Sequence, residues 1–274
     1  MNNFITYSKA ALFSAFESIG INSGDEIIFH SSIIQVGLLE DVDIPNQPKE
    51  LLAAIMEYLG PQGTVVVPAG FWDYGLKGVP YDTGTSPVAK DLGVVPKFLV
   101  TLPEAGRSLN PLYAVAAIGA KVDFFTGTNT AIAFGSESPW KRLAQVNAKN
   151  VFFGTELDAL MFARYCEQCE GVPYIYNKLY DAPIYRDGVL VGVPVVTPVR
   201  YSNLMFEYDL SGLASRLNDR GHLFQAPLGG GNIEMVSCNN ARKAISEGLC
   251  ENIHYLLKSP PNYKRGEIPF DVLK

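Results

Sequence analysis

Two glycine-opened, β-branched apolar runs with a helix between them constrain this fold more than anything else in the chain. The first, "GDEIIFHSS" (24–32), reads as a turn feeding a short buried strand from Ile27 to His30. The second, "GTVVVPAGF" (63–71), reads as a strand buried on both faces. Between them "PKELLAAIMEYLG" (48–60) is helical, with Pro48 near its start and Gly60 after its end. Strand, helix, strand in that order predicts a parallel crossover.

The rest of the chain extends an α/β pattern. Residues 8–19 predict an amphipathic helix with Ser8 as N-cap, Leu12, Phe16 and Ile19 on one face, and Gly20 at its end. Residues 86–102 read as a loop and then a helix, and "YAVAAIGA" (113–120) and "NVFFGT" (150–155) as further buried strands. The segment 157–170 lacks Gly and Pro and reads as one helix. "IYRDGVLVGVPVV" (184–196) predicts a hairpin around Asp187-Gly188, the pair a type I′ turn prefers. Residues 237–258 read as helix. No repeat or linker divides the chain, so one domain over 1–274 is expected, with an antiparallel lobe in its C-terminal third.

Composition narrows the partners. A formal charge of −6 argues against nucleic acid or an anionic membrane, and leaves small molecules. No stretch approaches the ~18 apolar residues of a membrane span. The start "MNNFITYSKAALFSAFESIG" has no basic leader, and four cysteines make no disulfide framework, so the cytoplasm is the expected location. A homo-oligomer is compatible with this composition.

"LDALMFARYCEQCEGVPY" (157–174) concentrates the chemistry. Cys166 and Cys169 have no second pair to complete a zinc site, and Cys166 falls more than two turns into the expected helix, away from the N-terminal position of redox pairs. Both are expected to be structural. Three histidines lack ligand-like spacing, so no metal is expected. Phosphate-loop and dinucleotide glycine motifs are absent, and "FGSES" is not a nucleophile elbow. Arg164 and Glu167 are i, i+3 on the expected helix and can touch, while Asp158 lies nine residues before Glu167, on roughly the opposite face.

Six blocks in order resemble the aminoglycoside 3-N-acetyltransferase family (antibiotic N-acetyltransferase, YokD-like) over about residues 20–190. They are "GDEIIFHSSIIQVG", "GPQGTVVVPAGFWDY", "YDTGTSPVAKDLGVVPKFL", "RSLNPLYAVAAIG", "FGSESPWKRL" and "VFFGTELD…E…VPY". The resemblance implies a mixed α/β fold: a largely parallel central sheet flanked by helices, with a smaller antiparallel C-terminal lobe. It also implies acyl transfer from a coenzyme A thioester to an amine. Ser31, Ser32 and Ile33 would contact the cofactor, Leu92, Gly93 and Val94 would lie along its pantetheine arm, and Gly135, Ser136 and Ser138 would lie near the thioester or phosphates. Arg107, with Lys90, Lys97, Lys141 and Arg142, would hold phosphates.

The same resemblance places Asp158, Arg164 and Glu167 at the family's acid/base positions. Glutamate and aspartate are kept, but Arg164 stands where the family typically has histidine, and Asn110 where it has a second one. Arginine accepts no proton at neutral pH. Three readings stay open: Glu167 as base, directly or through water; an amine that arrives neutral; or an inactive CoA-binding relative. Aromatic residues placed around the acceptor (Trp72, Tyr74, Tyr81 and Tyr113, with Asn110) and the lost histidine point the expectation to a nucleotide-linked amino sugar, such as a dTDP-3-amino-3,6-dideoxyhexose for surface polysaccharide. The donor would be acetyl-CoA or 3-hydroxybutyryl-CoA. A true aminoglycoside acetyltransferase is the alternative.

Overall fold

The computed structural model describes residues 4–201 and 203–266. Its largest sheet has seven strands, in the spatial order Phe224–Leu228, Gly231–Ser237, Lys149–Phe153, Glu26–Ser31, Thr64–Pro68, Val115–Gly119, Gly106–Arg107. The expected crossover is present: Glu26–Ser31 lies parallel to both Thr64–Pro68 and Lys149–Phe153. Every other pairing in this sheet is antiparallel. The fold is mixed α/β as expected, with its parallel part confined to the central trio.

Alternation along these strands assigns two buried faces. Ile27, Phe29, Val65, Val67 and Phe153 pack under helices Lys9–Ser18 and Gln47–Leu59. Ile28, Val66 and Phe152 face the other way, under Pro139–Gln145, Phe162–Glu170, Ser211–Asp219 and Cys238–Glu251. Ser8 caps the first helix, its Oγ accepting from the Ala11 amide at 3.1 Å.

Two smaller three-stranded sheets stand beside this body, each an antiparallel pair with one short parallel strand added, Ala131–Ile132 beside Val195–Arg200 and Tyr81–Asp82 beside Ile184–Arg186. Ile175–Tyr180 pairs with Val195–Arg200, and Ile184–Arg186 pairs with Val189–Leu190 through a turn with Asp187 φ 51° and Gly188 φ 80°. That is the I′ geometry Asp-Gly predicts. The expected hairpin stops at Leu190, because Gly192 and Pro194 interrupt the second run and Val195 starts a different strand. Likewise Phe224–Leu228 and Gly231–Ser237 join the main sheet rather than the lobe. The last helix ends at Glu251, short of the expected Lys258, where Asn252 turns extended.

One difference matters for function. Residues 157–170 are not one helix: a 3-10 turn, Leu157–Ala159, precedes the helix Phe162–Glu170, with Leu160 out of helical conformation between them at ψ 86°. Leu157, Leu160, Phe162 and Ala163 are all buried. A continuous helix would put Phe162 on the face opposite Leu157, Leu160 and Ala163. The break lets both segments bury their apolar side and frees Asp158 from the helix. Among the described residues, no helix is long and apolar enough to cross a membrane.

Candidate active site

A cavity of about 880 Å³ opens where the central parallel strands end, the usual ligand position in such sheets. Ser31 and Pro68 reach it from two strand ends, and Thr155 from just beyond the third. Two glycines let these segments close on one another. Gly154 sits at φ 64° with Ser32 O where a Cβ would go, and Gly93 at φ 87° against Ser31 O.

The break at Leu160 brings Asp158, Arg164 and Glu167 to this one cavity. Asp158 is exposed at its wall. Glu167 has no solvent exposure, and three donors hold its carboxylate. Tyr174 donates to Oε1 at 2.8 Å; Arg164 donates to Oε2 at 2.9 Å and Tyr208 to the same oxygen at 3.3 Å. The Arg164 guanidinium lies 3.2 Å from the centre of the Tyr208 ring. Burial works against the Arg164 charge, yet Glu167 and Tyr208 outweigh it and hold the guanidinium above its ordinary value. Burial pushes the Tyr208 and Tyr174 phenols well up, with Glu167 adding to it, so neither ionises near neutral pH.

Trp72, Asp91, Leu92 and Tyr113 also line the cavity, and Trp72 Nε1 donates to Asp91 Oδ1 at 2.7 Å. Three buried atoms on the same wall lack any partner among the described residues: His30 Nε2, Ser31 Oγ and Thr155 Oγ1. Facing the cavity, these three atoms are open to bond water or a ligand's amides or carbonyls.

Other expected positions do not reach the cavity. Arg107 is buried and spends its guanidinium on the carbonyls of Ala69, Ser86 and Pro87, so it has no fork to offer a phosphate. Tyr74 and Tyr81 are core residues whose hydroxyls bond the carbonyls of Ala182 and Ser108. Asn110 is buried, donating to Ala131 O and Thr197 Oγ1 and accepting from the amides of Leu112 and Tyr113. It shapes the turn that presents Tyr113. Ser138 is the buried N-cap of Pro139–Gln145, and Gly135 and Ser136 precede it away from this cavity. Arg142 is paired with Glu137. Ser32 stands at the N-cap position of the short turn Ile33–Val36 without a side-chain capping bond, and Ile33 is buried in the core; Gly93 and Val94 follow the cavity residue Leu92, with Val94 half exposed.

Sequence reasoning missed Tyr208, Arg200 and Tyr201, which come from residues beyond the matched blocks. Tyr174 stood inside the last block but carried no signal of its own. His30 was set aside for want of ligand spacing. Burial pulls its imidazole down to about 4, so it is neutral at pH 7. The unfolded chain takes up a proton below ~6.5 and the folded one only near 4, so stability falls as pH drops between those values. The loss is about 3 kcal/mol by pH 4. His30→Gln is expected to flatten that part of the profile, read from urea midpoints at pH 7 and pH 4; an unchanged slope would put the acid sensitivity elsewhere.

Cys166 is buried, and that burial, with Cys238 nearby, drives its thiol well above the usual range; Cys169 is exposed, and both are free. The Cys166 thiol, kept protonated, is a poor nucleophile, and neither cysteine lines the cavity. Cys166→Ala and Cys169→Ala are therefore expected to keep the acyl-transfer rate within about twofold, with about 1 kcal/mol lost at the buried site. Lost turnover in a folded variant would restore a thiol role.

Known proteins share this sequence pattern and fold. The aminoglycoside 3-N-acetyltransferase family model matches residues 28–249. Aminoglycoside N(3)-acetyltransferase IV from Salmonella sp is 33% identical over 188 residues, 68% of each chain. Aminoglycoside N(3)-acetyltransferase III from Pseudomonas aeruginosa is 28% identical over 207 residues, 70% of this chain and 74% of that one. The crystal structure of the aminoglycoside acetyltransferase AAC(3)-IVa superposes with a TM-score of 0.74 at 25% identity, covering 93% of both chains. AAC-IIIb in its binary complex with CoASH shares the fold, with a TM-score of 0.75 at 22% identity, over 93% of this chain and 100% of that one. These relatives act on aminoglycosides by name, which overturns the expectation of a nucleotide-linked amino sugar and of a place in surface polysaccharide synthesis. That expectation leaned on Tyr74 and Tyr81 as an aromatic acceptor surface, and both are core. The chain belongs to the aminoglycoside 3-N-acetyltransferase family, N-acyltransferases that carry an acyl group from a coenzyme A thioester to an amine.

Proposed function

We propose that this chain, working as one domain, transfers the acetyl group of acetyl-CoA to an amino group of an aminoglycoside. The observation that carries the proposal is the shared cavity. It joins a fully buried, triply bonded carboxylate to a wall of unmet polar atoms, and draws on residues from Phe29 to Tyr208. At about 880 Å³ it is in the range of pockets that enclose a drug-sized ligand.

The two halves of the wall suit the two substrates. His30 Nε2, Ser31 Oγ and Thr155 Oγ1 can bond the amides of a pantetheine arm, and the exposed Lys90 beside Asp91 is free of the structural duties that occupy Arg107. Asp91 and Asp158 offer carboxylates to the ammonium groups of an aminoglycoside, and Trp72 and Tyr113 offer faces to its rings. Bound side by side, donor and amine gain the advantage of proximity, which alone supplies much of the rate for aminolysis of a thioester. Glu167 supplies the nearby negative charge that a departing proton needs.

The test is thiol release from acetyl-CoA by the purified protein with a panel of aminoglycosides, alongside drug susceptibility of cells expressing it. Amine-dependent release with at least one aminoglycoside is expected. No release with any of them would overturn the acceptor assignment.

A further inference from the structure

Glu167 poses a problem that its own geometry answers. It is the carboxylate placed to receive a proton, yet it has no exposed surface. Although Glu167 borders the cavity, it presents no accessible surface there, so an amine meets its hydrogen-bonded neighbours first. Among the described residues three side chains bond it: Arg164, Tyr174 and Tyr208. Arg164 lines the cavity but accepts no proton. Tyr174 is a phenol but is fully buried and does not line the cavity. Tyr208 alone meets every requirement: it lines the cavity, bonds Glu167 Oε2, and a hydroxyl both accepts and donates.

We propose that the Tyr208 hydroxyl is the proton relay between the acceptor amine and Glu167, a role that follows from arginine at position 164. This rests on the acyl-transfer function proposed above. As the acceptor's ammonium gives a proton to Tyr208 Oη, the Tyr208 proton passes to Glu167 Oε2. The neutral amine's lone pair then attacks the thioester carbonyl carbon. The C–N bond forms, the C–S bond breaks, and the sulfur leaves with the bonding pair. It takes the second proton from the new amide nitrogen and departs as thiol. Glu167 returns its proton to solvent through Tyr208.

The surroundings suit a relay rather than a phenolate base. Five ionisable groups act on Tyr208 or bond beside it: Arg164, Glu167, Tyr113, Arg200 and Tyr174. Arg164 over the ring and Arg200 at 6.0 Å favour charge on the oxygen, while burial and Glu167 oppose it and prevail. The phenol therefore stays neutral and passes one proton as it receives another.

Tyr208→Phe is the test, because it keeps the ring under Arg164 and removes only the hydroxyl. The donor is acetyl-CoA; the acceptors are an aminoglycoside panel, a cationic simple amine, and hydroxylamine, which is uncharged at neutral pH. With cationic amines kcat is expected to fall about 10²-fold, as for a lost general base, while KM for acetyl-CoA stays within about twofold. The residual rate should climb with pH toward the amine's own titration. Hydroxylamine needs no deprotonation first and should keep its rate. A purely structural role would leave the pH profile unchanged and affect both kinds of amine equally. Wild-type rate and profile in Tyr208→Phe would overturn the relay. If wild type ignores every aminoglycoside but acylates simple amines, the acceptor assignment falls, and the cationic-to-neutral comparison still decides Tyr208. Silence of wild type with every amine overturns both.

Discussion

Glu167→Gln is expected to lower kcat by at least ~10²-fold and to cost about 3 kcal/mol of stability. The rate effect follows from chemistry: an amide cannot take the proton that leaves the amine. The stability effect follows from counting donors. Tyr174, Arg164 and Tyr208 all donate to the carboxylate; an amide oxygen can serve Arg164 and Tyr208, but its NH2 group then faces Tyr174, whose hydroxyl must turn to accept and loses the acceptor for its own proton. The Arg164 charge also loses its partner. Its side chain is 22% exposed, so the loss belongs at the low end of the range for a broken buried pair. A second variant separates the two effects. Glu167→Gln with Arg164→Met removes the unpaired charge and should recover much of the melting temperature while remaining slow. Near-normal kcat in the single variant would mean that the amine arrives neutral and needs no base. Full rate in the double variant would remove the pair from the chemistry altogether.

How far the sequence revealed this site depended on what each residue's signal reported. The parallel crossover was legible because both of its strands are apolar on both faces, and only a covered sheet tolerates that. The Asp187-Gly188 turn was legible because I′ backbone angles exclude most other pairs. Asp158 was harder: an uninterrupted run without Gly or Pro reads as one helix, and the break at Leu160 follows from which side chains must be buried, a tertiary demand with no local mark. Arg164 and Glu167 were legible as an i, i+3 pair, but not the tyrosines that close around them. Tyr208 is 41 residues from Glu167 and arrives by way of the Val195–Arg200 strand and the turn after it, so nothing local marks it.

Motif position also misled where a polar residue serves the backbone. Asn110, Ser138 and Arg107 lie in blocks shared with acyltransferases, and each is occupied with main-chain groups. Near Asn110 and Arg107 it is the neighbouring loop residues Leu112, Tyr113, Trp72 and Asp91 that line the cavity. A block's presence therefore reports the shape of a loop more securely than the job of each polar residue within it.

Arg107 gives that distinction its sharpest test. Arg107→Ala is expected to destabilise the protein by about 3–5 kcal/mol, because it removes several charge-assisted hydrogen bonds and leaves buried carbonyls unmet. The guanidinium donates to Ala69 O through Nε at 3.1 Å and also bonds Ser86 O and Pro87 O, while standing 5.1 Å over the Tyr81 ring. It joins the turn after Thr64–Pro68 to the 81–89 loop, and Ala89 N donates to Gly70 O across the same junction. Those segments carry Trp72 and Asp91 to the cavity mouth. At 2–4 °C per kcal/mol, the melting temperature should drop by roughly 10 °C. Arg107→Lys should rescue little, since an ammonium lacks the planar fork that spans carbonyls on two segments. Well below the melting temperature, KM for acetyl-CoA should stay within about twofold of wild type, because no free donor remains at Arg107 for a phosphate. A KM raised tenfold or more with an unchanged melting temperature would return Arg107 to the cofactor site and make its contacts to the three carbonyls incidental.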